Sequence, residues 1–281
     1  MTRSRVVPMR LVPFVWLAVC SVPVTDARSE PAPCIVSVTF PARAFVGEQV
    51  VLRRRILRRP EVSAANWVDG PSFPGFRSDP LPGLSGETRA QEQGAAYLVF
   101  EERHALFPVR AGRLEIPAAR LQCTLHRLPG QPPLAYYAAS TPGVIEVVSP
   151  PVDGRPEGYA GLVGEVRVTL TAEPQDLTLG GSLHVTVSLE GDADLRDAAP
   201  PFGGAKILGG AEVFAARPKL LVDPGERLRL RRSYGLELVP RQTGTFEVPA
   251  VRVPFFDPRT RRYGVAESKA IRVRVNPAPD G

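Results

Sequence analysis

The residues able to do chemistry in this sequence are few: three histidines, three cysteines, and two glutamates that recur at matching places. His104, His126 and His184 are candidates for acid–base or metal work. Such work needs a second titratable group, or two or three more ligands, at a workable spacing. His126 follows Cys123 by three residues, and nothing nearby completes a ligand set. No Gly-x-Ser-x-Gly elbow, phosphate-binding loop or His-Glu-x-x-His stands anywhere in the chain. Glu115 and Glu247 suggest a carboxylate pair. Two glycosidase carboxylates must lie within about 10 Å of each other, whereas these two fall in different halves of the chain. Each reads as a surface strand residue or a turn acceptor. No enzyme, metal or cofactor is expected.

Cys34 and Cys123 are the thiols left if Cys20 departs with an export signal. They lie in strand-like segments near the two ends of the first half. In an oxidising compartment they either close a disulfide or remain two separate buried thiols, and both readings stand at this stage.

The N-terminus has the layout of an export signal. Arg3, Arg5 and Arg10 precede an apolar run from Leu11 to Cys20, and Thr25-Asp26-Ala27 offers a cleavage site. Leu17-Ala18-Val19-Cys20 partly resembles a lipid-attachment box, so lipidation at Cys20 is the alternative to cleavage. The run is shorter than the ~20 residues a membrane span needs. Removing residues 1–27 takes three of the 35 basic and one of the 29 acidic residues, which lowers the net charge from +6 to +4. This mild excess does not point to nucleic acid. Its densest clusters are Arg53, Arg54, Arg55, Arg58 and Arg59, then Arg227, Arg229, Arg231 and Arg232. They form either solvated strand faces or a patch for phosphate or anionic lipid.

The elements that position these residues are read from an internal repeat. His104 to Arg120 and Leu236 to Arg252 align, with Pro108 and Pro240, Gly112 and Gly244, Glu115 and Glu247, and Pro117 and Pro249 each 132 residues apart. Gly47 and Gly180, in a second shared motif, are 133 apart. His104 falls opposite Leu236, which can do no acid–base chemistry. A strand meets a proline that lacks an N–H, a glycine turns the chain, and alternation resumes at Leu114 and Ile116 or at Phe246 and Val248. Alternation is also clear in Val166-Val168-Leu170, Leu183-Val185-Val187-Leu189 and Ile271-Val273-Val275. With 31 prolines and 25 glycines, and no helical period of any length, the chain is expected to be all-β. It reads as two tandem immunoglobulin-like β-sandwich domains after the signal segment, each closing its own core. The divisions are 1–27 for the signal, 28–149 for the first sandwich, 150–158 for a Pro-rich linker and 159–281 for the second.

Residues 60–97 read as a long irregular loop, since proline, glycine and polar residues surround Trp67, Phe73 and Phe76. A loop of that length binds something or lies flat on the sandwich. The three aromatics are candidates for a partner-binding surface or for local packing anchors. Residues 191–206 form a second irregular stretch.

These motifs together resemble BatD, the oxygen-tolerance family of exported bacterial proteins. The resemblance rests on Tyr159-Ala160-Gly161-Leu162-Val163-Gly164, Leu179-Gly180 and Gly191-Asp192-Ala193-Asp194-Leu195. It rests also on Val239-Pro240 with Gly244, on Val248-Pro249-Ala250, and on Phe255-Phe256-Asp257-Pro258 with Tyr263. In the first half, Phe45-Val46-Gly47-Glu48, Phe107-Pro108 with Ala111-Gly112, and Ile116 are similar to the family. The resemblance implies tandem sandwiches outside the cytoplasm that act with MoxR-type ATPases and von Willebrand A-domain membrane proteins, with no enzymatic residues. The family usually carries a C-terminal membrane helix. This sequence ends at Asn276-Pro277-Ala278-Pro279-Asp280-Gly281, so it is expected in the periplasm, either free or held at the inner membrane by its N-terminal segment, a lipid on Cys20 or a partner. The alternative is a carbohydrate- or ligand-binding envelope module that stacks sugars on Trp67 and Tyr97.

Overall fold

The computed structural model describes residues 30–126 and 130–278; the expected signal segment and Cys20 lie outside them. In the first half the strands are β1 (Cys34–Thr39), β2 (Arg43–Phe45), β3 (Val50–Arg58), β4 (Val62–Trp67), β5 (Phe76–Glu92), β6 (Ala95–Pro108), β7 (Gly112–Ile116), β8 (Arg120–Leu125), β9 (Leu134–Ala139) and β10 (Gly143–Val148). They pair in the orders β1-β3-β6-β5, β2-β10-β7 and β4-β8-β9. One cluster of the core, with Leu52, Leu106, Leu114 and Ile145, lies between the first sheet and the β2-β10-β7 sheet. A second, with Cys34, Ile56, Leu121 and Cys123, lies between the first sheet and the β4-β8-β9 sheet.

The second half repeats this plan with β11 (Val166–Glu173), β12 (Asp176–Thr178), β13 (Leu183–Gly191), β14 (Ile207–Leu208), β15 (Ala211–Ala215), β16 (Lys219–Pro224), β17 (Leu228–Pro240), β18 (Gly244–Val248), β19 (Arg252–Asp257), β20 (Arg262–Glu267) and β21 (Ile271–Asn276). Its orders are β11-β13-β17-β15-β14, with β16 also on β17, then β12-β21-β18 and β19-β20. The repeat is therefore one of topology as well as of sequence. β2 runs parallel to β10, and β12 runs parallel to β21. The glycines that the repeat aligns share a backbone conformation open to few other residues: φ is 81° at Gly47 and 87° at Gly180, 120° at Gly112 and 115° at Gly244. The chain is two tandem immunoglobulin-like β-sandwiches.

Two expectations need correction. Residues 60–97 are not a loop: β4, the whole of β5 and the start of β6 run through them. Pro80 and Pro82 had argued against a strand, but β5 lies at the edge of its sheet, where a missing N–H leaves no ladder bond unmade. The register of β5 on β6 shifts between Leu81 and Leu84 and again before Thr88, which absorbs the irregular sequence.

Nor does each half close a separate core. Leu81, Ala105 and Phe107 of the first half belong to the same buried cluster as Leu183, Leu195, Leu228 and Leu238 of the second. Alternation explains the split. On β6, Leu106 points into its own sandwich, so Ala105 and Phe107 point out of the opposite face. Arg77 and Asp79 on β5 pair with Phe107 and Ala105 and share that outward face. The second sandwich covers it, and the described residues from Ala32 onward form one compact unit.

Candidate functional site

The junction between the sandwiches gathers most of the polar side chains that strand alternation leaves on the covered face. Gln49, just before β3, is 3% exposed. Its side-chain N–H group donates to the carbonyls of Asp192 (3.0 Å) and Leu228 (2.8 Å), and its side-chain oxygen accepts the Leu228 N–H at 2.8 Å. Arg227 donates to Asp192 Oδ2 at 3.0 Å and to the Gln49 carbonyl at 3.1 Å. Asp192 Oδ1 accepts the Glu165 N–H, so one carboxylate ties three segments together. Beside them, desolvation holds the Glu48 carboxyl above its ordinary range, against the Phe45 N–H that it accepts and the charge of Arg227.

A second group of ions lies over the Phe107 ring. Arg77 reaches Asp194 at 2.8 Å and Asp197 at 3.0 Å, while Arg196 reaches Asp79 at 2.6 Å and Asp194 at 2.9 Å. The Arg196 guanidinium stands 5.6 Å from the Phe107 ring centre. The 3-10 turn at Leu195–Asp197 presents these residues, and Asp194 caps it by accepting the Arg196 N–H. Leu195 below is fully buried. This turn lies in the second of the stretches expected to be irregular.

An aromatic chain closes the other side. Phe45 meets Phe256 edge-on at 4.8 Å, Phe256 meets Tyr263 at 5.1 Å, and Tyr263 meets Tyr159 at 5.0 Å. Burial pushes the Tyr159 phenol up to about 12. The linker is strapped down: Tyr263 Oη donates to the Pro151 carbonyl at 2.6 Å. A groove of about 620 Å³ crosses the junction here, lined by Arg43, Phe45, Glu48, Glu146, Phe256 and Arg261.

The aromatics proposed for partner binding are spread over separate packing sites. Trp67 on β4 packs on the Cys34–Cys123 cluster and donates its indole N–H to Glu102 at 2.8 Å, with Arg54 3.8 Å over its ring. Phe73 and Phe76 pack on the neighbouring cluster, and Phe73 stacks obliquely on His104 at 5.2 Å. Phe73 also lines a cleft of about 220 Å³ with Arg54, Asp69 and Arg120. Trp67 and Tyr97 do not make a stacking platform, because Tyr97 is 1% exposed and spends its hydroxyl on the Ala32 carbonyl.

Cys34 and Cys123 are bonded, joining β1 to β8 across the layers of the first sandwich. His126 and His184 are exposed, and among the described residues no three His, Cys, Asp or Glu side chains gather as a metal site. Glu115 and Glu247 are exposed on β7 and β18, and Glu247 pairs with Arg272 at 3.0 Å. Several arginines of the two clusters are already engaged within the protein. Arg231 pairs with Glu190 at 2.7 Å, Arg227 with Asp192, and Arg59 with Glu61 at 2.5 Å. Arg54 lies under the Trp67 indole. No helix among the described residues is long and apolar enough to cross a membrane.

No family model matches the chain, and no curated protein matches it. Among solved structures, the zebrafish RET cadherin-like domains 1 to 4 are similar at a TM-score of 0.25 and 9% identity, over 73% of this chain and 42% of that one. The adhesin InvE of Yersinia pseudotuberculosis is similar at a TM-score of 0.22 and 9% identity, over 85% of this chain and 58% of that one. The chain spans less than two thirds of either.

Sequence reasoning missed the junction. Gln49 was not singled out, and Asp192 and Asp194 entered only as members of the Gly191–Leu195 motif. The available signal was apolar Ala105 and Phe107 on the strand face opposite Leu106.

Proposed function

We propose that this chain is an exported, non-enzymatic interaction protein of the BatD type, a rigid two-sandwich body that presents its surfaces to membrane proteins carrying von Willebrand A domains and served by MoxR ATPases. The observation that carries this reading is the junction. Gln49, Asp192, Arg227 and the Arg77–Asp194–Arg196–Asp79 ion group are committed to holding one sandwich against the other. Titratable groups spent on each other serve geometry, and a fixed geometry suits a protein that must meet two surfaces at once. The groove across Phe45, Glu48 and Phe256 exists only while the two halves stay docked.

The test is affinity capture from solubilised membranes of the native organism, using the full chain and an Arg196→Asp variant as baits. The wild-type chain should retain a von Willebrand A-domain protein identified by mass spectrometry. The variant, with like charges against Asp79 and Asp194, should retain less. Recovery of no such protein by the wild type would overturn the assignment.

A further inference from the structure

Strand β16 carries a run of exposed apolar residues along an edge that β5 approaches but does not pair with. It pairs with β17 on one side, and among the described residues nothing pairs with its other side. Leu220, Leu221 and Val222 are 39%, 61% and 47% exposed, so apolar side chains on both faces of the strand meet solvent. Natural edge strands are usually blunted by charge, proline or a bulge in the middle of the strand. Here the charges and prolines stand only at the two ends.

Their arrangement identifies the occupant. Pro218-Lys219-Leu220-Leu221-Val222-Asp223-Pro224 reads nearly alike from either end. If a second copy is laid antiparallel on β16 with Leu221 opposite Leu221, then Lys219 faces Asp223 of the other copy, Leu220 faces Val222, and each relation recurs by symmetry. Both charges are matched, and both apolar positions meet apolar partners. Pro218 and Pro224, which lack an N–H, close the five-residue ladder at both ends. A two-fold interface must be self-complementary in this way, whereas a strand shaped for a foreign partner need not be.

We infer that two copies of this chain join through β16 as an antiparallel pair centred on Leu221, which extends the β11-β13-β17 sheet into its partner. This goes beyond the interaction reading above and does not depend on it. The ladder is short, so the dimer is weak and its population rises with concentration.

Two measurements test this, both on the full chain with Cys20→Ser so that introduced thiols are the only free ones. The first is sedimentation velocity over a wide concentration range. The parent should move toward dimer. Lys219→Asp, which sets like charges opposite each other at both ends of the ladder, should weaken association about tenfold. Lys219→Asp combined with Asp223→Lys should restore it. Both positions are exposed strand residues, and a circular dichroism spectrum verifies the fold of each variant.

The second measurement is oxidative cross-linking. Leu221→Cys should link to itself. Lys219→Cys should link to Asp223→Cys when the two proteins are mixed, but not to itself, since the two copies of residue 219 would be about 14 Å apart along the strand. A chain that stays monomeric throughout, a charge swap that fails to rescue, or a Lys219→Cys that links only to itself would overturn the inference. So would finding the β16 edge occupied by a different protein.

Discussion

The side-chain amide of Gln49 lies against the backbone of Leu228, donating to its carbonyl and accepting from its N–H, both at 2.8 Å. A side chain from one sandwich thus does for β17 what a neighbouring strand would do. It satisfies both polar groups of a residue at the rim of the sheet, where pairing with β13 has ended. Its third bond, to the Asp192 carbonyl, brings the end of β13 into the same contact.

Gln49→Ala should therefore destabilise the whole described unit rather than one half. It strands the Leu228 N–H and two carbonyls in a buried setting, at about 1–3 kcal/mol. Gln49→Glu should be at least as damaging, because a carboxylate cannot donate to those carbonyls. Urea unfolding followed by tryptophan fluorescence checks both. Equal midpoints for wild type and Gln49→Ala would mean that the contact contributes nothing.

Breaking the disulfide should act mainly on the first sandwich. Cys34 and Cys123 are 89 residues apart in sequence, and closing a loop of that length restricts the unfolded chain by an amount worth about 2–5 kcal/mol. A Cys34→Ser and Cys123→Ser double variant should lose that much in thermal or chemical unfolding. Hydrogen exchange should rise first in β1, β4, β8 and β9, which surround the bond. Loss of protection confined to β13 and β17 would contradict this.

Stability should also fall in mild acid through His104. Burial, and then the nearby Arg54 charge, hold its pKa below the ordinary histidine value of 6.5, with Glu102 pulling the other way. The unfolded chain accepts a proton that the native state resists. The stabilisation is therefore complete above about 6.5 and is lost as pH falls from there toward the folded-state pKa. His104→Leu, which installs the residue found at the equivalent position 236, removes this source of slope. Denaturation midpoints at pH 7 and pH 5 should differ less in the variant than in the wild type; an equal difference would rule His104 out.

What the sequence by itself determined is the local grammar of the chain. Alternation at Leu183, Val185, Val187 and Leu189 marks a half-buried strand because side chains leave a strand on opposite faces. The aligned glycines marked where the backbone must turn, and the aligned prolines marked where pairing stops. Because these are properties of short segments, they were legible twice over, once in each copy. Only the tertiary structure decided which second faces are covered. Nothing local to β6 says that Ala105 and Phe107 will be capped by Leu195 and Arg196, some ninety residues later. Nor does the composition of residues 76–92 reveal that their prolines lie on an unpaired edge. The repeat itself hid the junction, since two copies of one pattern look equivalent until they dock, and each then contributes a different surface.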